Sequence, residues 1–317
     1  MIFWAGKQDN IRQSMLQQMW NLLCPWLVYE AVSILVMTFY MIFRMMTDPS
    51  LLTGLNDTDT YIRQMTRLIN EKYVLIALFT CLISIPLMLL FMSLDRKKER
   101  RLGMVLEGWE KPQPIFFVLC FLCGVSVCVV FNHLLIFSGL YDLLSSDFEP
   151  VADLLYTGSF WLELAVVGLL TPLVEELIFR GLIYRRLRWA LEAKWAAVLS
   201  ALIFAFFHGN LLQGIYAFGI GLLMAFVYER YHHILAPVLV HAGANLISVF
   251  LSENEALQKI YETSEAFFLT TLCMMIVFIA SFYKILTVPA PAKTGAAADP
   301  DSIQENHEEG FNGTRAV

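Results

Sequence analysis

Charge is scarce in this sequence. Asp, Glu, Lys and Arg make up 16% of the 317 residues against 58% hydrophobic, with a mean hydropathy of +0.61. Soluble domains carry roughly 25% charged and roughly 45–50% apolar residues, so a soluble fold is excluded and an all-α, polytopic integral membrane protein is expected. A basic face is missing too: the formal net charge is -6, with the acids spread over loops and a tail, which excludes nucleic acid as a partner. There is no internal repeat, and no Gly-rich phosphate loop follows a strand. Met1 to Trp20 carries Lys7, Asp9 and Arg12 before any long apolar run. That is not the basic, apolar, small-residue order of a signal peptide, so no cleavage is expected.

The six cysteines, Cys24, Cys81, Cys120, Cys123, Cys128 and Cys273, all fall in apolar segments. Cys120 and Cys123 have CxxC spacing but no partner histidines or βαβ context, and they read as small buried hydrophobes.

What the chain has in abundance is apolar runs of membrane-spanning length, roughly 17 to 25 residues. They are Trp20 to Phe43, Tyr73 to Leu94, Ile115 to Leu140, Phe160 to about Leu182, a short one from Trp195 to His208, Leu211 to Tyr228, Ile234 to Leu251 and Ala266 to Leu286. About eight transmembrane helices follow. They divide the chain into a cytoplasmic N-terminal segment (1–19), three N-terminal helices with their loops (20–157), a core of five helices (158–287) and a disordered cytoplasmic tail (288–317). The tail is too poor in apolar residues to fold by burial. Its Asn312-Gly313-Thr314 sequon reads as chance, because a cytoplasmic tail never meets the glycosyl transferase.

Loop charge gives the orientation, since cytoplasmic loops hold the Lys and Arg excess. Arg96, Lys97, Lys98, Arg100, Arg101 and Lys111 follow the second span; Arg185, Arg186, Arg188 and Lys194 the fourth; Arg230 the sixth. The loop with Asp142, Asp147, Glu149 and Asp153 has no basic residue, and the loop with Glu253, Glu255, Glu262 and Glu265 has only Lys259. Both read as outside. The loop Arg44 to Lys72 is mixed. Both termini then face the cytoplasm of a cell membrane.

Polar residues inside the spans carry the chemistry, because a charge at the bilayer centre costs about 2.5–3.5 kcal/mol even on insertion scales. Glu175 and Glu176 lie on the fourth span, His208 ends the fifth, and His241 and Asn245 lie on the seventh. Glu176 and Arg180 are four apart in the favourable order for an ion pair. His241 and Asn245, and likewise Phe204 and His208, share a helix face. At 1.5 Å per residue, Glu175 lies about 20 Å from the basic cluster at Arg188 and His208 as far from Trp195, so the groups are level. A glutamate beside a histidine can hold a water and remove its proton. A histidine and an asparagine opposite can donate to the oxyanion of an attacked carbonyl. The set suits peptide-bond hydrolysis without a covalent intermediate.

The ordered set Glu175, Glu176, Arg180; Phe204, His208; His241, Asn245 resembles the three motifs of the CAAX protease and bacteriocin-processing (CPBP, or Abi) family of intramembrane endopeptidases, over about Phe160 to Ser252. Gly181 after Arg180 also fits. The resemblance implies that Glu175 and His208 activate water, that His241 and Asn245 form the oxyanion site, and that Glu176, Arg180 and Phe204 are accessory or structural. It implies a glutamic-type endopeptidase acting on a membrane-embedded or prenylated protein or peptide substrate in the lipid bilayer. Asn245 is a poor zinc ligand, which favours a metal-free mechanism with no cofactor; the alternative is zinc on Glu175, His208 and His241.

Blander readings stand beside these. Glu176 and Arg180 serve equally as a packing device, and His241 and Asn245 as interhelical glue. Glu30, Glu163, Asn132 and His133 have no partner at motif spacing and read as structural or interfacial; His232 and His233 read as solvated. Gly214, Gly219 and Gly221 read as points of close helix approach. The alternative function is a non-hydrolytic membrane protein, either a bacteriocin-immunity or scaffold member or a proton-coupled transporter.

Overall fold

In hydrocarbon every backbone polar group needs an internal partner, and each expected span folds as helix. The structure, a computed structural model, describes residues 15–48, 51, 57–102, 108–109, 111–156, 158–254 and 263–294. In chain order the helices are α1 (Met15–Thr47), α2 (Thr58–Glu71), α3 (Tyr73–Arg101), α4 (Pro114–Phe137), α5 (Leu140–Leu155), α6 (160–188), α7 (Ala193–Phe206), α8 (Leu211–Tyr231), α9 (Leu235–Ser252) and α10 (Ser264–Thr287). Six of them, α1, α3, α4, α8, α9 and α10, are long and apolar enough to cross a membrane. The remaining two expected spans are α7, which is short, and α6, which is interrupted twice. The chain is an all-α polytopic membrane bundle.

Two helices stand where loops were expected. In the mixed loop, Asp57 caps α2 by accepting the Asp59 N–H and the Thr60 hydroxyl; the Thr60 hydroxyl holds this carboxyl below the usual carboxylate range. In the acidic outside loop, Tyr141, Phe148, Val151 and Leu155 recur at helical spacing and turn inward together, so α5 lies over the bundle. The third span ends at Phe137 rather than Leu140 because Gly139, at φ +73°, turns the chain.

The start of α1 and the ends of α3, α6, α8 and α10 meet at one end of the bundle, as strict alternation requires. Charges from the expected inside loops are paired there. Arg185 binds Glu99 at 2.5 Å, Arg186 binds Asp95 at 2.7 Å and the Asn21 carbonyl, and Arg188 binds Glu229 at 2.9 Å. Arg230 donates to the carbonyls of Ile285, Leu286 and Val288 and so caps α10. His233 is half-buried rather than solvated: its Nδ1 accepts the Leu235 N–H, and burial with Lys111 nearby holds it below the usual imidazole range. His232, in contrast, is exposed.

At the same end Gly108–Trp109 pairs antiparallel with Lys293–Thr294, in register Gly108 to Thr294 and Trp109 to Lys293. Of the expected tail, residues 288–294 are described, and backbone pairing holds Lys293 and Thr294 where apolar burial would not. Residues 295–317, with the Asn312 sequon, lie outside the described residues, as do residues 1–14 of the N-terminal segment and Glu255, Lys259 and Glu262.

The free cysteines Cys81, Cys120, Cys123 and Cys128 are buried, as expected of small hydrophobes; Cys273 is exposed and Cys24 half-buried. Against α4 lies α9, so close that a Cβ on Gly124 would collide with the Val240 carbonyl and one on Gly243 with the Phe121 carbonyl. On α8 the expected close approach holds at Gly219, against Phe131, and at Gly221, against Ala201 and Arg180, whereas Gly214 has only ordinary contact. Gly124→Ala is expected to destabilise the bundle by about 1–3 kcal/mol through overpacking, while Gly214→Ala, relieved of glycine's helix penalty, leaves it unchanged or slightly firmer. Thermal unfolding in detergent checks the contrast; equal melting temperatures for the two variants would contradict this packing.

Candidate active site

The site begins with a defect in α6. A proline inside an α-helix lacks the N–H for its i−4 carbonyl and crowds it. Pro172 follows a π-helical turn, Val166–Leu170, in which the Thr171 N–H bonds the Val166 carbonyl instead of that of Val167. In π geometry the next donor owed to Val167 would be Pro172, which has none. The Val167 carbonyl is thus released from the ladder, and Asn245 Nδ2 donates to it at 2.9 Å. A second π-helical stretch, Leu177–Tyr184, follows, and within it the Phe179 carbonyl accepts the Ser200 hydroxyl of α7 at 3.2 Å. Such π turns recur at functional sites. Here they tie α6 to α9 and α7, the two helices that carry the other motifs.

The adjacent acids of α6 are separated by their surroundings. Glu176 is fully buried and its Oε1 is shared: Arg180 Nη1 donates to it at 2.8 Å and His241 Nδ1 at 3.0 Å. Arg180, also fully buried, donates Nη2 to the Gly221 carbonyl at 2.9 Å and lays its guanidinium over the Phe204 ring at 4.7 Å. Glu175 instead faces a cavity, with 23% of its side chain exposed, and its Oε2 stands 3.7 Å from His241 Nε2. The Glu176 bond makes Nδ1 the proton-bearing nitrogen of His241 and turns Nε2 toward Glu175.

His208 sits in the turn that ends α7. Gly209, at φ +77°, terminates that helix. Asn210 then caps α8 by accepting the Gln213 N–H at 2.9 Å and donating to the Gln213 side chain at 2.6 Å. His208 Nδ1 donates to the Phe204 carbonyl at 2.8 Å, leaving Nε2 as an acceptor. The Phe204 ring meets the rings of His208 and His241 edge-on, at 4.6 and 5.6 Å. This one ring therefore touches Arg180 and both histidines.

Glu175, His208, His241 and Asn245 all line a single cavity of about 300 Å³; Glu176 and Arg180 lie behind its wall. The cavity extends away from the end where the arginine ion pairs lie, toward α5, whose Tyr141, Phe148, Val151 and Leu155 cover it. Sequence reasoning missed several wall residues. Tyr29 of α1, Tyr73 of α3 and Asn132 of α4 come from helices that offered only a compatible count, and Tyr216 and Ser248 complete the wall. Ser248 was findable, because it continues the face of His241 and Asn245 at helical spacing. Asn132, expected to be structural, lines the cavity, whereas His133 next to it turns away to bond Thr271 at 2.6 Å and stack on Phe267. Glu163, at the start of α6, is buried and accepts the Gly158 N–H at 2.7 Å. Among the described residues no three His, Cys, Asp or Glu side chains are grouped to hold a metal ion. Glu175 Oε2 and His241 Nε2 approach each other at 3.7 Å.

The fold and site define a polytopic helical membrane protein with a carboxylate and two imidazoles in an intramembrane cavity. The resemblance carried by the three motifs is borne out over this segment: residues 157–247 match the family model described as Rce1-like, type II CAAX prenyl endopeptidase. Among curated proteins, the chain is 26% identical over 147 residues to "UPF0177 protein YbdJ" of Lactococcus lactis subsp. lactis (strain IL1403), covering 44% of this chain and 62% of that protein. It is 29% identical over 90 residues to "Putative membrane peptidase YdiL" of Bacillus subtilis (strain 168), covering 28% of this chain and 37% of that protein. The chain spans less than two thirds of the length of either relative. No solved structure matches it. These matches support a membrane protease family.

The Glu176–Arg180 pair is the element most exposed to mutation. Arg180→Ala leaves a buried carboxylate without its cation and is expected to cost about 3–5 kcal/mol. Arg188→Ala, at a half-exposed pair, is expected to cost under about 1 kcal/mol. Comparison of the two melting temperatures tests this ranking, and equal losses would contradict the assigned burial.

Proposed function

We propose that the protein is an intramembrane endopeptidase that hydrolyses a peptide bond of a membrane-embedded or lipid-modified substrate with water activated by Glu175 and His208. The observation that carries this reading is the convergence of Glu175, His208, His241 and Asn245, from three helices, on one cavity. His208 holds its Nδ1 proton on the Phe204 carbonyl, so its Nε2 can accept a proton. Glu175, on the cavity wall, takes the water's proton as the oxygen adds to the scissile carbonyl, while His208 Nε2 accepts a hydrogen bond from the same water and orients it. His241 Nε2 lies close to Glu175 and is reached by that proton. Once protonated, His241 is held between two carboxylates and donates from Nε2 to the oxyanion. Asn245 keeps one amide hydrogen on Val167, which fixes its plane, and offers the second to the same oxygen. As the carbonyl re-forms, the C–N bond breaks and the proton taken from the water passes from His241 Nε2 to the leaving amine nitrogen, which returns the site to its starting protonation. Loss of one oxyanion donor costs about 10²–10³ in kcat where this has been measured.

Glu176 and Arg180 serve as positioning residues, since they stand behind the wall and set the His241 tautomer. The mechanism needs no metal. The alternative is zinc on Glu175, His208 and His241 Nε2, and there the Nδ1 bond to Glu176 would orient the ligand. The cell membrane, with both termini in the cytoplasm, remains our proposed location; a fluorescent protein fused after Thr287 should glow, and an alkaline phosphatase there should be silent. The reverse pattern would invert the topology.

Purified protein in detergent should cleave transmembrane-segment peptides. Glu175→Gln and His208→Asn should lower the rate by at least about 10³, and a chelator should leave wild-type activity intact. Cleavage that survives Glu175→Gln would overturn the assignment. Loss on chelation that zinc restores would overturn the metal-free mechanism alone.

A further inference from the structure

Beyond Asn245 the cavity wall continues into a second polar group that the hydrolytic chemistry does not use. On α9, His241, Asn245 and Ser248 line the same cavity at spacings of four and three. Around Ser248 are Asn132 of α4 and Tyr216 of α8, also wall residues, and behind them is the fully buried Cys128. The group is organised around that sulfur. Cys128 Sγ is 3.3 Å from Ser248 Oγ, Asn132 Nδ2 donates to Sγ at 3.5 Å and to the Cys128 carbonyl at 3.1 Å, and the Tyr216 hydroxyl also bonds Sγ. Ser248 Oγ donates to the Ala244 carbonyl at 3.1 Å.

The donors of all three wall residues thus point back into the protein, at Cys128 and Ala244. Left for a ligand are acceptors: Asn132 Oδ1 and the lone pairs of the two hydroxyls. They come from three helices and converge near one point. A peptide backbone is served by a row of alternating donors and acceptors, whereas convergent acceptors serve one donating group. None of the three carries charge, so a lysine or arginine seated there, within the membrane-spanning bundle, would have no counter-ion. The fitting occupant is a neutral donor such as Ser, Thr, Asn or Gln. Ser248 lies seven residues from His241, roughly 10 Å along α9, and an extended chain covers that distance in about three residues.

We infer that Asn132, Tyr216 and Ser248 form a specificity subsite that binds a neutral, hydrogen-bond-donating side chain about three residues from the scissile bond. This rests on the endopeptidase reading of the same cavity. It assigns a substrate class within that reading: membrane peptides with Ser, Thr, Asn or Gln at a fixed distance from the cut.

The test is cleavage of a peptide library derived from transmembrane segments, solubilised in detergent, with cut sites sequenced by mass spectrometry. Wild type is compared with Ser248→Ala, Asn132→Leu and the conservative Tyr216→Phe, each checked for a monodisperse, wild-type-like melt, with Glu175→Gln as the blank. Wild type should enrich Ser, Thr, Asn and Gln at one position about three residues from the cut. The variants should lower that enrichment about fivefold, the worth of one neutral hydrogen bond, a larger loss than they cause on peptides with Ala there. No positional enrichment in wild type, or enrichment unchanged in all variants, overturns the subsite. A uniform fall in rate for every peptide, with enrichment intact, also overturns it and points to backbone binding. Cutting by Glu175→Gln equal to wild type overturns the endopeptidase reading itself, which separates the two failures.

Discussion

The structure turns on one oxygen, Glu176 Oε1, which accepts from Arg180 and from His241 with no solvent access. A buried charge in a low-dielectric interior persists only when paired and hydrogen-bonded, and each element of the pairing draws on a different helix. Arg180 reaches α8 at the Gly221 carbonyl, where the absence of a side chain gives it room, and packs on Phe204 of α7. His241 brings in α9. The ion pair is thus a four-helix junction, and the motif residues it gathers are the ones that must stay in register for any chemistry in the cavity. Two adjacent glutamates acquire separate duties by geometry alone, since neighbours on a helix point about 100° apart: one faces inward to the junction, the other the cavity.

Backbone defects provide the second constraint. A membrane helix tolerates a proline because neighbours re-satisfy the freed carbonyl, and here that neighbour is Asn245. The residue proposed as an oxyanion donor is therefore also the group that repairs α6. Ser200 makes a similar repair at Phe179. Apart from Asn245, the side chains that satisfy the interrupted helix lie outside the motifs, which is why a motif match alone would undervalue α7.

Much of this was legible in the sequence. The eight spans follow from apolar run length, their alternation from loop charge, and the Glu176–Arg180 and Phe204–His208 contacts from spacing of four on a helix. What was not legible depends on long-range packing. The link from His241 to Glu176 joins residues 65 apart in sequence, and no local pattern announces it. The π turns are invisible to a 3.6-residue period. Helix α5 was hidden because its acids marked it as a loop, while the stripe from Tyr141 to Leu155 that turns inward was outweighed by charge. Asn132 looked structural because α4 is apolar throughout; only the closeness of α4 to α9, permitted by Gly124 and Gly243, brings it to the cavity wall.

The central claim is that a junction built on Glu176 presents Glu175 to a substrate as a water-activating base within the bilayer. Its most direct test is a survey of new peptide termini in membranes that contain wild-type protein, set against membranes with Glu175→Gln protein at equal abundance. The account predicts termini that are specific to wild type and fall within or beside apolar spans of other membrane proteins. Identical termini in the two samples would contradict it.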